Sequence, residues 1–117
     1  QFQDHYLRGG LIENLVIAEI MKHYYNFNRK PHVFFWRDHV GNEIDCLIEQ
    51  ADKLIPVEIK DGMTINSDYF NGLKYWKEVT EGAYPHGFVV YGGGENQERT
   101  NGTVISWQHI EDIFKPI

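Results

Sequence analysis

The 117-residue sequence predicts a single α/β domain with elements in the order αβββαββα. Two runs that alternate apolar and polar residues, between Gly41 and Lys60, are typical of a β-hairpin. A helical pattern over residues 11–25 precedes them, and a continuous apolar run at residues 87–91 is typical of a buried strand. The expected sheet is therefore mixed, an antiparallel three-strand meander plus a parallel strand, with helices on both faces.

The first predicted helix covers residues 11 to about 25. Glu19, Lys22 and His23 cluster on one side of a helical wheel, and Glu13 falls nearly opposite them among apolar residues. Two interpretations of Glu13 stay open. It either faces inward toward the sheet, or it is a first-turn acid that interacts favourably with the helix dipole.

A strand is predicted from Val33 to His39, followed by a turn at Gly41-Asn42. Its register with the next strand has two solutions. A two-residue loop places Asp38 opposite Asp45 and adds an acid to the neighbouring carboxylates. A three-residue loop places Arg37 opposite Asp45, which would then belong to a structural ion pair.

The hairpin breaks at residues 50–53, and a turn there predicts pairs whose residue numbers sum to 103. One apolar face then carries Ile44, Cys46 and Ile48 opposite Ile59, Val57 and Ile55. The other face carries Asp45 opposite Glu58 and Glu43 opposite Lys60. Two carboxylates about 5 Å apart at Cβ repel each other, so we expect a cation between them. Alternatively, this face is solvated and Glu43 pairs with Lys60 across the strands.

The later elements follow from turn residues and apolar runs. Asn66, Ser67 and Asp68 supply N-caps for a helix from about 68 to 80. We expect this helix to face the sheet with Phe70, Leu73 and Trp76. After the 87–91 strand, the prediction is a mobile glycine-rich loop at 92–97, a strand from Thr103 to Trp107 and a short helix from His109 to Phe114.

An Asp followed by Glu-x-Lys on the next strand is the arrangement of the PD-(D/E)xK (restriction-endonuclease-like) nuclease superfamily. The chain also carries the runs GGLIENLVIAEI, FFWRDHVGNEIDCLIE, LIPVEIKDG and YGGGENQERTNGTVISW. Over roughly residues 9–110 it resembles the C-terminal domain of unknown function that follows the ATPase module in many bacterial and archaeal AAA+-like ATPases. Residues 1–8 show no clear period and are predicted to be the remnant of a linker. The resemblance implies one nuclease-like domain at 9–117, the C-terminal part of a longer ATPase chain.

The resemblance also implies a function, which is metal-dependent hydrolysis of phosphodiester bonds. Asp45 and Glu58 would hold Mg²⁺ or Mn²⁺, and Glu13 would complete the outer shell of the metal. Lys60 would orient the nucleophile or stabilise the developing charge. Ile44 stands where the superfamily name has Pro before the Asp.

Charge and composition qualify this expectation. The net charge of −6 argues against a strong unaided grip on duplex DNA, because phosphate contacts dominate that affinity. The alternative is an inactive nuclease-like fold that serves the ATPase as a regulatory or protein-interaction module. The possible partners are thus nucleic acid and the chain's own ATPase module, and an oligomer is possible. The lone Cys46, the absence of a signal peptide and the absence of a membrane-length apolar run favour the cytoplasm.

Overall fold

A computed structural model describes residues 10–26, 33–37, 43–50, 52–83 and 86–115, without the side chains of Arg37, Glu43 and Gln50. The predicted linker at 1–8 and the turn at 41–42 lie outside the described residues. The helices are α1 (Leu11–Asn26) and α2 (Asn71–Val79), and 3₁₀ segments cover Ser67–Phe70 and Trp107–Phe114. The strands are β1 (Val33–Arg37), β2 (Glu43–Gln50), β3 (Lys53–Lys60), β4 (Phe88–Tyr91), β5 (Gln97–Arg99) and β6 (Gly102–Ser106).

These strands form a six-stranded mixed sheet in the order β1-β2-β3-β4-β6-β5. β1, β2 and β3 are the predicted antiparallel meander, and β3, β4 and β6 run parallel. The α/β class and the mixed sheet are therefore confirmed. The prediction missed β5, which pairs antiparallel with β6. Its residues, Gln97–Arg99, are polar and mostly exposed, so no apolar alternation indicates this edge strand.

The helices cover both faces of the sheet, as predicted. On one face, α1 buries Val16, Ile17, Ile20 and Tyr24 in a core with the 3₁₀ segment Trp107–Phe114. On the other face, the residues predicted to face the sheet, Phe70, Leu73 and Trp76, are buried against it. Among the described residues, neither helix is long and apolar enough to cross a bilayer.

From Cys46 to Gln50 the register of the β2–β3 hairpin is the predicted one. The three pairs predicted beyond Cys46 are not part of the ladder: Asp45 with Glu58, Ile44 with Ile59 and Glu43 with Lys60. Cys46 pairs with Val57 and Ile48 pairs with Ile55, so the residue numbers of each pair sum to 103. All four side chains are buried in the core on the α1 side. The alternation of apolar residues on two neighbouring strands fixed this pairing, because a slip by one residue would have turned both sets toward opposite faces.

The pairing of β1 with β2 differs from both predicted arrangements. Arg37 lies opposite Glu43, not opposite Asp45, and residues 38–42 separate the two strands. The two-residue and three-residue loops are therefore both wrong. Burial decides this register: Val33 and Phe35 pack against the core on the α1 side, which outweighs the local turn signal.

β2 also contains a β-bulge that the sequence pattern did not predict. Along the β1–β2 ladder, Phe34 pairs with Leu47 and Trp36 pairs with Ile44. Two residues of β2, Asp45 and Cys46, therefore occupy the length of one residue of β1, which is the count that defines a bulge. The extra residue reverses the direction in which the side chains before it point.

The bulge moves Ile44 to the face opposite the predicted one. Ile44 packs with Leu47 and Trp76 on the α2 side, whereas Cys46 and Ile48 pack on the α1 side. Strict alternation would have placed Ile44 beside Cys46. The predicted face is thus wrong for Ile44 and right for the other five members of the apolar set: Cys46, Ile48, Ile55, Val57 and Ile59.

Hydrogen bonds hold the glycine-rich segment that was predicted to be mobile. The Tyr91 hydroxyl donates to the Glu95 carbonyl at 2.9 Å and accepts from the Glu95 N–H at 3.2 Å. The buried Ser106 hydroxyl donates to the Gly93 carbonyl at 2.7 Å, and the Gly92 N–H donates to Gly62 at 2.8 Å. These hydrogen bonds therefore hold the segment at the carboxyl ends of the central strands.

Candidate functional site

The bulge brings Asp45 and Glu58 together at the point where the regular β2–β3 ladder ends. The register pair nearest this point is Cys46 with Val57. Beyond it, the Asp45 backbone N–H donates to Glu58 Oε1 at 3.1 Å, and the Ile59 N–H donates to Asp45 Oδ2 at 2.8 Å. Each carboxylate thus accepts a hydrogen bond from a backbone N–H of the opposite strand. In a regular ladder, a backbone carbonyl would be the acceptor of that bond.

Glu58 is buried beneath helix α2, with 5% of its surface exposed. Gly72, in the first turn of α2, makes this possible: a Cβ at Gly72 would lie 2.5 Å from Glu58 Oε2. The Lys60 ammonium lies 3.6 Å from the same oxygen, and its side chain is 32% exposed. A solvated face for Glu58 is therefore wrong, and Lys60 links the buried carboxylate to the surface. The alternative partner of Lys60, the Glu43 side chain, lies outside the described residues.

The electrostatics of Glu58 follow from this burial. Loss of solvent, and then the negative charge of Asp45, raise the pKa of Glu58 to about 7, against the opposing effects of the Asp45 N–H and the Lys60 charge. A buried carboxylate beside a second acid is costly to ionise, because its charge is neither hydrated nor fully balanced. The site therefore carries a group whose charge changes near neutral pH and which a further cation would help to ionise.

Glu13 is the third acid that the sequence assigns to the site. It is half-buried in the first turns of α1, and its charge acts on the thiol of Cys46. Burial, followed by the charges of Asp45 and Glu13, raises the pKa of Cys46 to about 12. Cys46 is therefore a neutral, fully buried thiol at physiological pH. The approach of Glu13 to Asp45 and Glu58 stays a prediction.

The donors at this site suit a hard divalent cation. Asp45 and Glu58 offer carboxylate oxygens, and Mg²⁺ is commonly held by one or two carboxylates together with substrate phosphate oxygens. Within the described residues, no three His, Cys, Asp or Glu side chains are close enough to form a metal site by themselves. Glu13 therefore does not complete a three-residue group with Asp45 and Glu58, and two carboxylates remain as the candidate ligands.

Sequence reasoning missed one residue of the site, Gly72. A glycine inside a helical pattern costs helix stability and is a signal of close backbone approach. Here the approaching group is the carboxylate of Glu58. The signal was visible in the sequence NGLKYWK, but nothing in the sequence indicates which strand residue would lie under that glycine.

Comparison with protein families gives one match. A family model described as "Domain of unknown function (DUF4143)" matches residues 8–110, which is most of the chain. Neither the comparison with curated proteins nor the comparison with solved structures finds a match.

Proposed function

Because the chain belongs to the DUF4143 family, whose description names no activity, we propose its function from the site itself: metal-dependent hydrolysis of phosphodiester bonds. One observation carries this proposal. Asp45, Glu58 and Lys60 lie together at the irregular end of a hairpin. Each carboxylate accepts a hydrogen bond from a backbone N–H of the opposite strand, and the ammonium lies 3.6 Å from Glu58. This is the residue set of the PD-(D/E)xK nucleases.

Each residue has a distinct chemical role in this proposal. Asp45 and Glu58 hold Mg²⁺ or Mn²⁺ through their oxygens, and Glu13 adds negative charge behind the bulge. When bound, the metal supplies Lewis-acid stabilisation of the negative charge on the phosphate. Lys60, partly exposed, donates to a phosphate oxygen or orients the attacking water, where its charge opposes the developing negative charge. Gly72 keeps α2 close enough to exclude bulk water from Glu58.

We further propose that the domain is the C-terminal, nuclease-like part of an AAA+-type ATPase. The sequence resemblance supports this context, as does a net charge of −6, which disfavours unaided binding to duplex DNA. An ATPase module joined to the domain would deliver nucleic acid to the site. The linker implied at residues 1–8 would connect the two modules.

Replacing Lys60 tests the catalytic role directly. Lys60→Ala should abolish Mg²⁺-dependent cleavage while leaving the fold intact, because the side chain is partly exposed. The assay uses single-stranded, duplex and branched DNA and RNA with Mg²⁺, with Mn²⁺ and with EDTA. Lys74→Ala is the matched control, since Lys74 is an exposed lysine on α2. A wild-type protein that cleaves none of these substrates contradicts the proposal.

Melting curves test the metal ligands without any substrate. Asp45→Asn keeps the shape of the side chain and removes one of two repelling charges, so it should stabilise the metal-free domain by up to about 1 kcal/mol. At ten times its dissociation constant, Mg²⁺ should stabilise the wild type by about 1.4 kcal/mol, or several degrees. The variant should lose most of that response. If Asp45→Asn destabilises the metal-free protein and metal shifts neither curve, Asp45 is structural.

A second candidate is a non-catalytic interaction module, and one observation favours it. Leu11 and Leu15, one turn apart on α1, are 74% and 41% exposed, which gives the helix an apolar outer patch. If the wild type cleaves no substrate, this domain added in trans should bind its own ATPase module. Leu15→Glu should weaken that binding. The matched control is Val79→Glu, at an apolar residue of α2 that is 49% exposed, and it should leave the binding unchanged. Equal affinity of both variants and the wild type would exclude this patch.

A further inference from the structure

The three parallel strands end together and leave an open pocket of about 520 Å³ at their carboxyl edge. The last residues of β3, β4 and β6, namely Lys60, Tyr91 and Ser106, are aligned in register. The residues that follow them, Asp61, Gly92 and Trp107, all line the pocket. In α/β folds, ligands bind in crevices outside the carboxyl ends of the strands. The pocket begins one residue beyond Lys60.

The pocket is lined by both apolar and hydrogen-bonding side chains. Trp107 and Ile12 are half-buried and Met63 is 76% exposed, so three apolar side chains meet at one opening. Asp61 and Gln108 add an acceptor and an amide that both donates and accepts. Gly92, Gly93 and Gly94 complete the lining without side chains. The pocket therefore offers an aromatic face, an apolar rim and two hydrogen-bonding groups.

This chemistry disfavours an anion and favours a flat heterocycle. The described lining includes no Lys, Arg or His, and its only charge is the negative one of Asp61. A phosphate would therefore be repelled. A nucleobase has a π-face that stacks on an aromatic ring such as that of Trp107. The edge of a nucleobase also carries N–H groups that can donate hydrogen bonds to the Asp61 carboxylate. Its donors and acceptors can both pair with the side-chain amide of Gln108.

We propose that this pocket binds one unpaired nucleobase of a nucleic-acid strand whose backbone passes Lys60. The proposal rests on the phosphodiesterase function above and makes its substrate more specific, namely a strand with at least one unstacked base. Because the chain has a net charge of −6, stacking carries more of the affinity than neutralisation of phosphates. A fully paired duplex must first unpair and unstack a base, which costs a few kcal/mol, so it should bind more weakly than a single strand.

The pocket can be filled with little risk to the fold at Gly94. A Cβ built there meets no heavy atom within 4 Å, and Gly94 is not among the residues with positive φ. Because Gly94 lines the pocket, Gly94→Leu should narrow its opening, whereas Gly94→Ala is the matched small control. Binding is measured by anisotropy of labelled six-nucleotide single strands of DNA and RNA in EDTA, where no metal-dependent cleavage occurs. A blunt duplex of two separate strands and free mononucleotides are the comparison ligands, and unchanged melting temperatures verify the folds.

Single strands should bind the wild type, and the blunt two-stranded duplex should bind at least tenfold more weakly. Gly94→Leu should weaken single-strand binding at least fivefold, as expected for losing one base stack. Gly94→Ala should stay within about twofold. Mononucleotides that bind as tightly as the strands would show that the pocket takes a free nucleotide and would overturn the proposal. Equal binding by Gly94→Leu and wild type would overturn it as well.

Cleavage that Gly94→Leu leaves unchanged would contradict the proposed role of the pocket but not the phosphodiesterase function. Strand binding without any metal-dependent cleavage would contradict only that function.

Discussion

Glu58→Gln is expected to make the domain more stable at pH 8, in the absence of metal, by an amount that vanishes in acid. Burial and the neighbouring Asp45 raise the pKa of Glu58 from 4.5 to about 7. The folded protein therefore keeps a proton on Glu58 at pH values where the unfolded chain has lost it. Protonated Glu58 therefore contributes fully to the stability of the folded protein below about pH 4.5. This contribution is lost as the pH rises through about 7.

The size of the effect follows from the shift. One pKa unit corresponds to about 1.4 kcal/mol, so a shift of this size implies a loss on the order of 3 kcal/mol across the window. Glutamine keeps an acceptor oxygen for the Asp45 N–H and has no charge to desolvate. The free energy of unfolding of Glu58→Gln minus that of the wild type should therefore grow by about that amount between pH 4.5 and pH 8.

Urea denaturation in EDTA, at half-unit steps of pH, measures this difference. Titrating groups that do not interact with Glu58 cancel in it. Glu78→Gln is the control, because Glu78 is an exposed carboxylate on α2, and its difference from the wild type should stay nearly flat. A flat difference for Glu58→Gln would mean that Glu58 ionises as easily in the folded protein as in the unfolded chain. The described burial of this carboxylate would then be wrong.

Gly72→Ala should destabilise the metal-free domain, although the same change in a helix normally stabilises by roughly 0.5–1 kcal/mol. The added Cβ would lie 2.5 Å from Glu58 Oε2 and 2.6 Å from its carboxyl carbon. The carboxylate must then move away and weaken its contacts with the Asp45 N–H and Lys60. Crowding of this kind costs about 1–3 kcal/mol, so the expected net loss is about 1–2 kcal/mol.

A double-mutant cycle isolates this clash. In a Glu58→Ala background the carboxylate is gone, and Gly72→Ala should become neutral or stabilising because only its helix propensity remains. The coupling energy between the two positions, from urea denaturation at pH 7, should be about 1–3 kcal/mol. If Gly72→Ala has the same effect in both backgrounds, the two residues are not in contact.

The parts of the fold that the sequence predicted are those that repeated burial determines. α1 and the β2–β3 hairpin each present several apolar residues with one period, so an error in register would expose all of them at once. β5 was missed because Gln97–Arg99 bury little and depend on hydrogen bonds to β6. The bulge was missed because Ile44, Cys46 and Ile48 alternate as a regular strand does. In addition, Leu47 between Cys46 and Ile48 fits either face of a sheet that is covered on both sides.

The sequence predicted which strand residues meet at the candidate site but not how deeply Glu58 is buried. Asp45, Glu58 and Lys60 follow from spacing along two paired strands, and the hairpin places them as neighbours. The depth of Glu58 could not be predicted, because Gly72 belongs to another element whose position depends on packing across the sheet. The pairing of Asp45 with Arg37 or Asp38 failed for a related reason. The local turn signal carries less free energy than the burial of Val33 and Phe35.

The bulge in β2 makes this site depend on strand length as much as on residue identity. Deletion of one residue next to Cys46 would restore an unbroken ladder. Every preceding side chain of β2 would then point to the opposite face of the sheet, because the period of a strand is two. Asp45 would leave Glu58 although its own codon was intact. Within the family, a chain can thus keep every acid of the site and still have no site. Homologous chains are therefore best sorted by the number of residues between their two hairpin turns before their carboxylates are compared.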